Sequence, residues 1–256
     1  MQTIGLQLYS VRDDLGKDFA GTMERLFEFG YRSFETAGAF GKGPQWFADL
    51  LKSHGASVCS MHIGLPKKED IAGIAETAAI LGTKQCVVPW MNPALFRTSS
   101  QIQKAADDLI GARDMLAEAG LKLAYHNHDF EWRKNEDGKI PHETLQSLMP
   151  KDFIWEIDAY WVFAAGGNPF DVAKKLGAKA EFWHIKDGFG TGAMVAVGKG
   201  KIPYKENFAK LKAAKHLIVE LDESRGVMMD DVRDSYKFLR GLFDQAKFDA
   251  APIGGP

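Results

Sequence analysis

Short runs rich in β-branched and aromatic residues alternate along this chain with longer stretches whose apolar residues recur at helical spacing, and nothing else restricts its fold as tightly. Eight runs have strand character: Thr3 to Tyr9, Arg32 to Thr36, Ser57 to His62, Gln85 to Trp90, Lys122 to His128, Phe153 to Asp158, Glu181 to Lys186 and Leu217 to Leu221. Between them the spacing predicts helices. Asp18 to Phe29 puts Phe19, Met23, Leu26 and Phe27 on one face, and a long helix capped by Ser99 or Ser100 carries Ile102, Ala105, Ala106, Leu109, Ala112 and Leu116. The last, Met229 to Phe243, carries Val232, Tyr236, Leu239 and Phe243. A glycine repeatedly separates helix from strand, at Gly30, Gly55, Gly82, Gly120 and Gly177, as a tight αβ turn requires. Strands alternating with helices argue for a parallel sheet, and eight such units in 256 residues match a closed (β/α)8 TIM barrel. An open doubly wound sheet would carry a glycine-rich phosphate loop after its first strand, where this chain reads LQLYSVRDD. A single α/β domain is expected over residues 1–248, with 249–256 as a C-terminal tail.

Composition narrows the function classes. The 32 basic residues are balanced by 34 acidic ones and are scattered along the chain, so the electrostatic footprint for a phosphate backbone is missing and nucleic acid is not expected as a partner. Cys59 and Cys86 both lie in apolar runs, which suits buried thiols in a reducing compartment. No stretch reaches the length of a membrane span and the start has no basic, apolar leader, so a cytoplasmic protein is expected.

In such a barrel the catalytic groups belong at the C-terminal ends of the strands. Strands five to eight all finish in ionisable residues: YHNHDFEW at 125–132, ID at 157–158, HIKD at 184–187 and VELD at 219–222. His126, Asp158, His184 and Glu220 fall one per βα unit, and such mixed nitrogen and oxygen donors suit a divalent ion such as Mn, Co, Mg or Zn. Gln7, Tyr9, Glu35, His62 and Trp90, at or near the ends of strands one to four, are placed either to contact a substrate in the pocket or to pack the barrel. Lys186 either contacts substrate or pairs with Asp187, and the glycine-rich stretch 188–201 is either a substrate-covering loop or a plain connection.

The succession HNHDFEW, IDAYW, HIKD and VELDES resembles the sugar phosphate isomerase/epimerase family of xylose isomerase-like TIM barrels, which includes ketose 3-epimerases, inosose and dehydroshikimate dehydratases and the endonuclease IV group. The likeness runs from IGLQLYSVR to the last helix. It implies one divalent cation held by Glu, Asp, His and Glu at the ends of the last four strands, with Asp158, His184 and Glu220 in the last three places. Where many relatives read Glu-Asn-His this chain reads His126-Asn127-His128, so that His126, or Glu131 just beyond the strand, would complete the set; Glu131 could instead contact substrate. The epimerases of the family use the first and last glutamates as opposed bases, so a simple two-glutamate epimerase is disfavoured. With Glu220 as base and His126 or His128 as the second acid or base, the resemblance implies a metal-dependent enzyme acting on a sugar, keto-sugar or cyclitol by proton abstraction next to a carbonyl, then elimination or isomerisation. His62, Glu131, Lys186 and Trp161 would orient the substrate. The rivals are a ketose or sugar-phosphate isomerase/epimerase with a histidine as one base, an endonuclease IV-like nuclease and a non-catalytic sugar-binding barrel; the sequence leaves room for a homo-oligomer.

Overall fold

Eight parallel strands, β1 (Thr3–Gln7), β2 (Ser33–Thr36), β3 (Ser57–His62), β4 (Gln85–Val88), β5 (Lys122–His126), β6 (Ile154–Asp158), β7 (Phe182–Ile185) and β8 (His216–Val219), follow one another around a closed barrel in chain order. The barrel closes where β1 pairs with β8, Thr3 to Leu6 lying beside His216 to Val219. This computed structural model describes residues 2–38 and 40–249, so of the expected tail 249–256 only Asp249 is described, as the last residue of the final helix, and the rest lies outside the described residues. Ten α-helices are found among the described residues: α1 (Arg12–Lys17) and α2 (Phe19–Phe29) after β1, α3 (Pro44–Ser53), α4 (Ile71–Leu81), α5 (Ser99–Glu118) and α6 (Pro141–Leu148) after the next four strands, α7 (Ala159–Ala164) and α8 (Pro169–Leu176) after β6, α9 (Tyr204–Asn207) after β7 and α10 (Met228–Asp249) after β8. The long α5 is capped by Thr98, one residue ahead of the expected serines; its hydroxyl accepts from Gln101 N–H. Asp18 caps α2, and Gly30 ends it at φ 109°, a conformation that side chains rarely tolerate.

The strands alternate sides, and each side buries a different kind of residue. Leu123, Tyr125, Trp155, Ile157, Trp183, Ile185, Leu217 and Val219 face outward and join the main core under the helices. Each aliphatic side chain so buried contributes roughly 1.5–3 kcal/mol. The lumen holds its own small apolar cluster of Cys59, Val87, Ala124, Ile154, Phe182 and Ile218. Cys59 and Cys86 are both free and buried.

Several strands stop before the sequence runs do, because their last residues leave the ladder to form the mouth. Gln7 Oε1 accepts from Tyr9 N–H and starts a tight turn, and Asp158 caps α7 by accepting from Trp161 N–H. No helix among the described residues is long and apolar enough to cross a membrane.

Candidate active site

Two residues beyond each apolar lumen residue of β5 to β8 stands an ionisable one, and two further on stands another. Ala124 leads to His126 and His128, Ile154 to Glu156 and Asp158, Phe182 to His184 and Lys186, and Ile218 to Glu220 and Asp222. The period of two thus stacks polar side chains on an apolar floor at the C-terminal end of the barrel.

These side chains form two contact groups. In the deeper one, Glu156 Oε1 lies 2.9 Å from His62 Nε2, 3.1 Å from His184 Nε2 and 3.2 Å from His126 Nδ1. Glu35 joins it, its Oε2 being 2.5 Å from His184 Nε2 and 3.1 Å from His62 Nε2. Gln7 Nε2 and Ser60 Oγ donate to the two oxygens of Glu35 and fix it in place. In the outer group the ammonium of Lys186 stands 2.8 Å from Asp158 Oδ2, 2.7 Å from Glu220 Oε2 and 2.8 Å from Asp222 Oδ2. His184 spans both, since its Nδ1 meets Glu220 Oε2 at 2.5 Å. His126 does the same, with Nε2 3.8 Å from Asp158. Single atoms of His126, Asp158, His184 and Glu220 lie within 4.8 Å of one another, as do those of His62, His126, Glu156 and His184, so either quartet could hold a metal ion.

The electrostatics follow from burial and proximity. Burial works to lower His62, but Glu35 and Glu156 outweigh it and push it up to about 10. Burial and the charge of Glu35 push Glu156 up to about 8. Burial also acts to raise Glu220, yet His184 and Lys186 hold it well below the usual carboxylate range, so it is ionised. His126 is lowered by burial and by His184, and His128 falls to about 4 through burial and the charge of Lys186, so both imidazoles are neutral at neutral pH.

A cavity of about 390 Å³ opens onto the site, lined by Tyr9, His62, Trp90, His126, His128, Glu220 and Asp222 among others. A wider one of about 580 Å³ adjoins it along His62, Ile63 and Gly64 and continues over Phe40, Leu65 and Ile74.

The structure therefore brings together Asp158, His184, Glu220 and His126, with His128, His62, Trp90 and Lys186 around them. Trp161 faces the same group, its ring 5.5 Å from Lys186 Nζ. Gln7 and Glu35, open in the sequence between substrate contact and barrel packing, lie fully buried beneath the histidines; Gln7 donates to Glu35, which contacts His62 and His184. Glu131 needs a correction. Its carboxylate accepts from Tyr125 O–H and His128 N–H, and Tyr125 points outward, so Glu131 lies behind the wall, outside both quartets and both cavities. Nor does Lys186 pair with Asp187. Asp187 instead accepts from the N–H groups of Gly188, Gly198, Gly200 and Ile202 and ties down the glycine-rich loop. A Cβ at Gly200 would stand 2.0 Å from the Asp187 carboxylate, so only glycine fits there. Sequence reasoning missed Glu156 and Asp222, although counting two residues from Asp158 and from Glu220 would have found both.

With this geometry in view, the sequence pattern of the xylose isomerase-like TIM barrel family matches residues 23–242. The chain belongs to that family. Among solved structures, this xylose isomerase-like barrel is similar to a sugar phosphate isomerase/epimerase from Parabacteroides distasonis ATCC 8503, with a TM-score of 0.80, 21% identity and coverage of 98% of this chain and 99% of the other. The "probable 3-DHS dehydratase AsbF" of petrobactin synthesis from Bacillus anthracis gives 0.74 at 15% identity, over 94% and 99% of the two chains. The IOLI protein, whose structure has a binding zinc atom, gives 0.69 at 16%, over 96% and 99%. At these identities the likeness carries the fold alone. No curated protein matches by sequence.

Proposed function

We propose that this barrel is a divalent-metal-dependent enzyme that removes a proton next to the carbonyl of a sugar, keto-sugar or cyclitol, leading to loss of water or to isomerisation. One observation carries the reading: His126 and His184 meet buried carboxylates on both sides, directly below a cavity whose wall presents Glu220 and His128. The donor chemistry fits a divalent ion, Mn, Co, Mg or Zn, and the orphaned Glu156 Oε2, buried without a hydrogen-bond partner, points the same way. His126 and His184 belong to both quartets and would hold the ion in either. When bound, such an ion would polarise the substrate carbonyl and stabilise the negative charge left by proton loss.

The chain's own residues supply the rest. Glu220 is ionised and reaches the cavity, so it can take the proton. His128 is a second, neutral acceptor on the same wall. Either group, once it carries the proton, becomes the acid that returns it to a departing hydroxyl, completing a dehydration, or to carbon, completing an isomerisation. Tyr9 and Trp90 at the rim offer exposed aromatic faces on which a sugar ring can stack. Relatives described as an isomerase/epimerase, a dehydratase and a zinc-binding barrel support this reading. A second reading, a ketose epimerase, draws on the same two acceptors, His128 and Glu220, working from different strands.

Proton NMR in deuterated water tests both. Metal-loaded protein is expected to exchange the C–H next to the carbonyl in a panel of ketoses and keto-cyclitols, with an unsaturated product marking dehydration and an inverted centre marking epimerisation. Loss of exchange on chelation supports the metal role, and no exchange across the panel with stoichiometric metal present overturns the proposal.

A further inference from the structure

We propose that the cation sits in the deeper quartet, on His62, His126, Glu156 and His184, and that Lys186 permanently fills the outer position to which the family resemblance assigns the metal. This rests on the reading of the barrel as a metal enzyme. It differs in the donor set: three imidazoles and one glutamate in place of the carboxylate-rich arrangement of Asp158, His184 and Glu220.

The outer carboxylates are already committed. Asp158 spends Oδ1 on the Trp161 N–H at the start of α7, and its Oδ2, which accepts no hydrogen bond, is ion-paired with the Lys186 ammonium at 2.8 Å. Glu220 Oε2 is shared between Lys186 at 2.7 Å and His184 Nδ1 at 2.5 Å. An ammonium buried against three carboxylates cancels one of their charges and occupies the point where they converge, and it would repel a second cation placed among them at short range.

The deeper quartet has the opposite character. No lysine or arginine pairs with Glu35 or Glu156 among the described residues; their partners are imidazoles, Gln7 and Ser60. Glu156 Oε2, like Asp158 Oδ2, is buried with no hydrogen-bond partner, but it has no ammonium paired with it. His184 is already aimed as a ligand should be, because Glu220 engages its Nδ1 and turns Nε2 inward, the relay by which a carboxylate behind a histidine fixes a metal ligand. The arrangement of nitrogen donors with a single carboxylate suits zinc or cobalt in a tetrahedral site. His62 borders both cavities, so the quartet can be reached from the substrate side. Glu220, released from ligation, is then free to act as the proton acceptor.

The test compares ligand counts. Protein freed of metal by chelator is titrated with Co(II), following the d–d absorption band and the metal content by mass spectrometry, in wild type, His62→Gln, Glu156→Gln and Asp158→Asn; zinc-edge X-ray absorption counts imidazoles in the wild type. Loss of a direct ligand should exceed the ~10–100-fold effect of an outer-shell change. His62→Gln and Glu156→Gln are therefore expected to weaken cobalt binding by more than ~100-fold and Asp158→Asn by less than ~10-fold, with three imidazoles seen at the zinc edge. Circular dichroism checks the fold of each variant, and the wild-type imidazole count stands even if Glu156→Gln misfolds. Tight metal binding that depends on Asp158 and not on His62, or a count of two imidazoles or fewer, overturns this inference and leaves the enzyme reading intact. A wild type that takes up no metal overturns both.

Discussion

Buried ionisable groups occur on both sides of the barrel wall, and the two sides handle them in opposite ways. Inside the mouth, Lys186 is surrounded by Asp158, Glu220 and Asp222, and His184 by Glu35 and Glu220, so groups of opposite charge are brought together. Outside, between the strands and α6, Glu131 and His142 are equally buried but have no such partners. Burial pushes Glu131 up to about 8, against its hydrogen bonds from Tyr125 and His128, and pushes His142 down to about 3. His142 is packed between Trp132 and Trp155, with ring centroids at 4.2 and 4.7 Å. The outer pair gives up its charge and becomes part of the packing. In the inner set Glu156 is raised as Glu131 is, but Glu35, His184, Lys186 and Glu220 keep their charge, and charge held ready in a cavity is what proton transfer needs.

Substitutions on each side can break or sharpen this contrast. The largest effect is expected from Glu220→Gln, which keeps the shape but removes the acceptor: kcat should fall by roughly 10²–10⁴-fold in the exchange assay, with circular dichroism confirming that the variant is folded at the assay temperature. Next comes Lys186→Met. It leaves Asp158 and Glu220 facing each other without their cation, and denaturant unfolding should show a loss of about 3–5 kcal/mol. Adding millimolar Mn or Mg should restore part of it, since a divalent ion can take the vacated place; no cation rescue would mean the ammonium is not standing in a cation position.

On the outer side the effects are smaller and appear only as pH is varied. His142 has a folded pKa below its unfolded one, so its stability contribution is complete above about pH 6.5 and is lost as pH falls towards about 3. At pH 5 the loss is about 2 kcal/mol, and His142→Phe should remove it, flattening the acid limb of the stability curve. Glu131 works with the reverse sign. Its folded pKa is raised, so its contribution is complete below the ordinary carboxylate range and is lost as pH rises towards about 8. Glu131→Gln, able to keep both hydrogen bonds, should melt higher than wild type at pH 8, with the gap closing at pH 5. A gap that does not depend on pH would show that Glu131 keeps its charge after all.

Most of the fold was legible because the two periods, 3.6 and 2, are cleanly segregated along the chain. All eight strands stand where β-rich runs occur, and Gly30, Gly55, Gly82, Gly120 and Gly177 all take positive φ at the turns expected of them. The quartet of His126, Asp158, His184 and Glu220 was legible for the same reason, being one residue at each strand end. Glu156 was not, since in WEID it reads as part of a strand core until the register shows which way it points. Glu131 misled in the other direction. Sequence proximity to His128 suggested a shared pocket, but the chain turns over Asp129 to Trp132 and carries the carboxylate behind β5. The role of Lys186 depends on three carboxylates from β6 and β8, a long-range meeting that no local pattern announces.

The single carboxylate of Asp187 has a wider meaning for how this barrel admits and exchanges ligands. Because four amides spread over residues 188–202 converge on it, that side of the entrance is a fixed jamb and not a door. The open side is then the opposite one, where the two cavities meet at His62, Ile63 and Gly64 and run from Trp90 in one to Leu65 in the other, so that variation in what enters would arise most readily in the β2–α3 and β3–α4 loops.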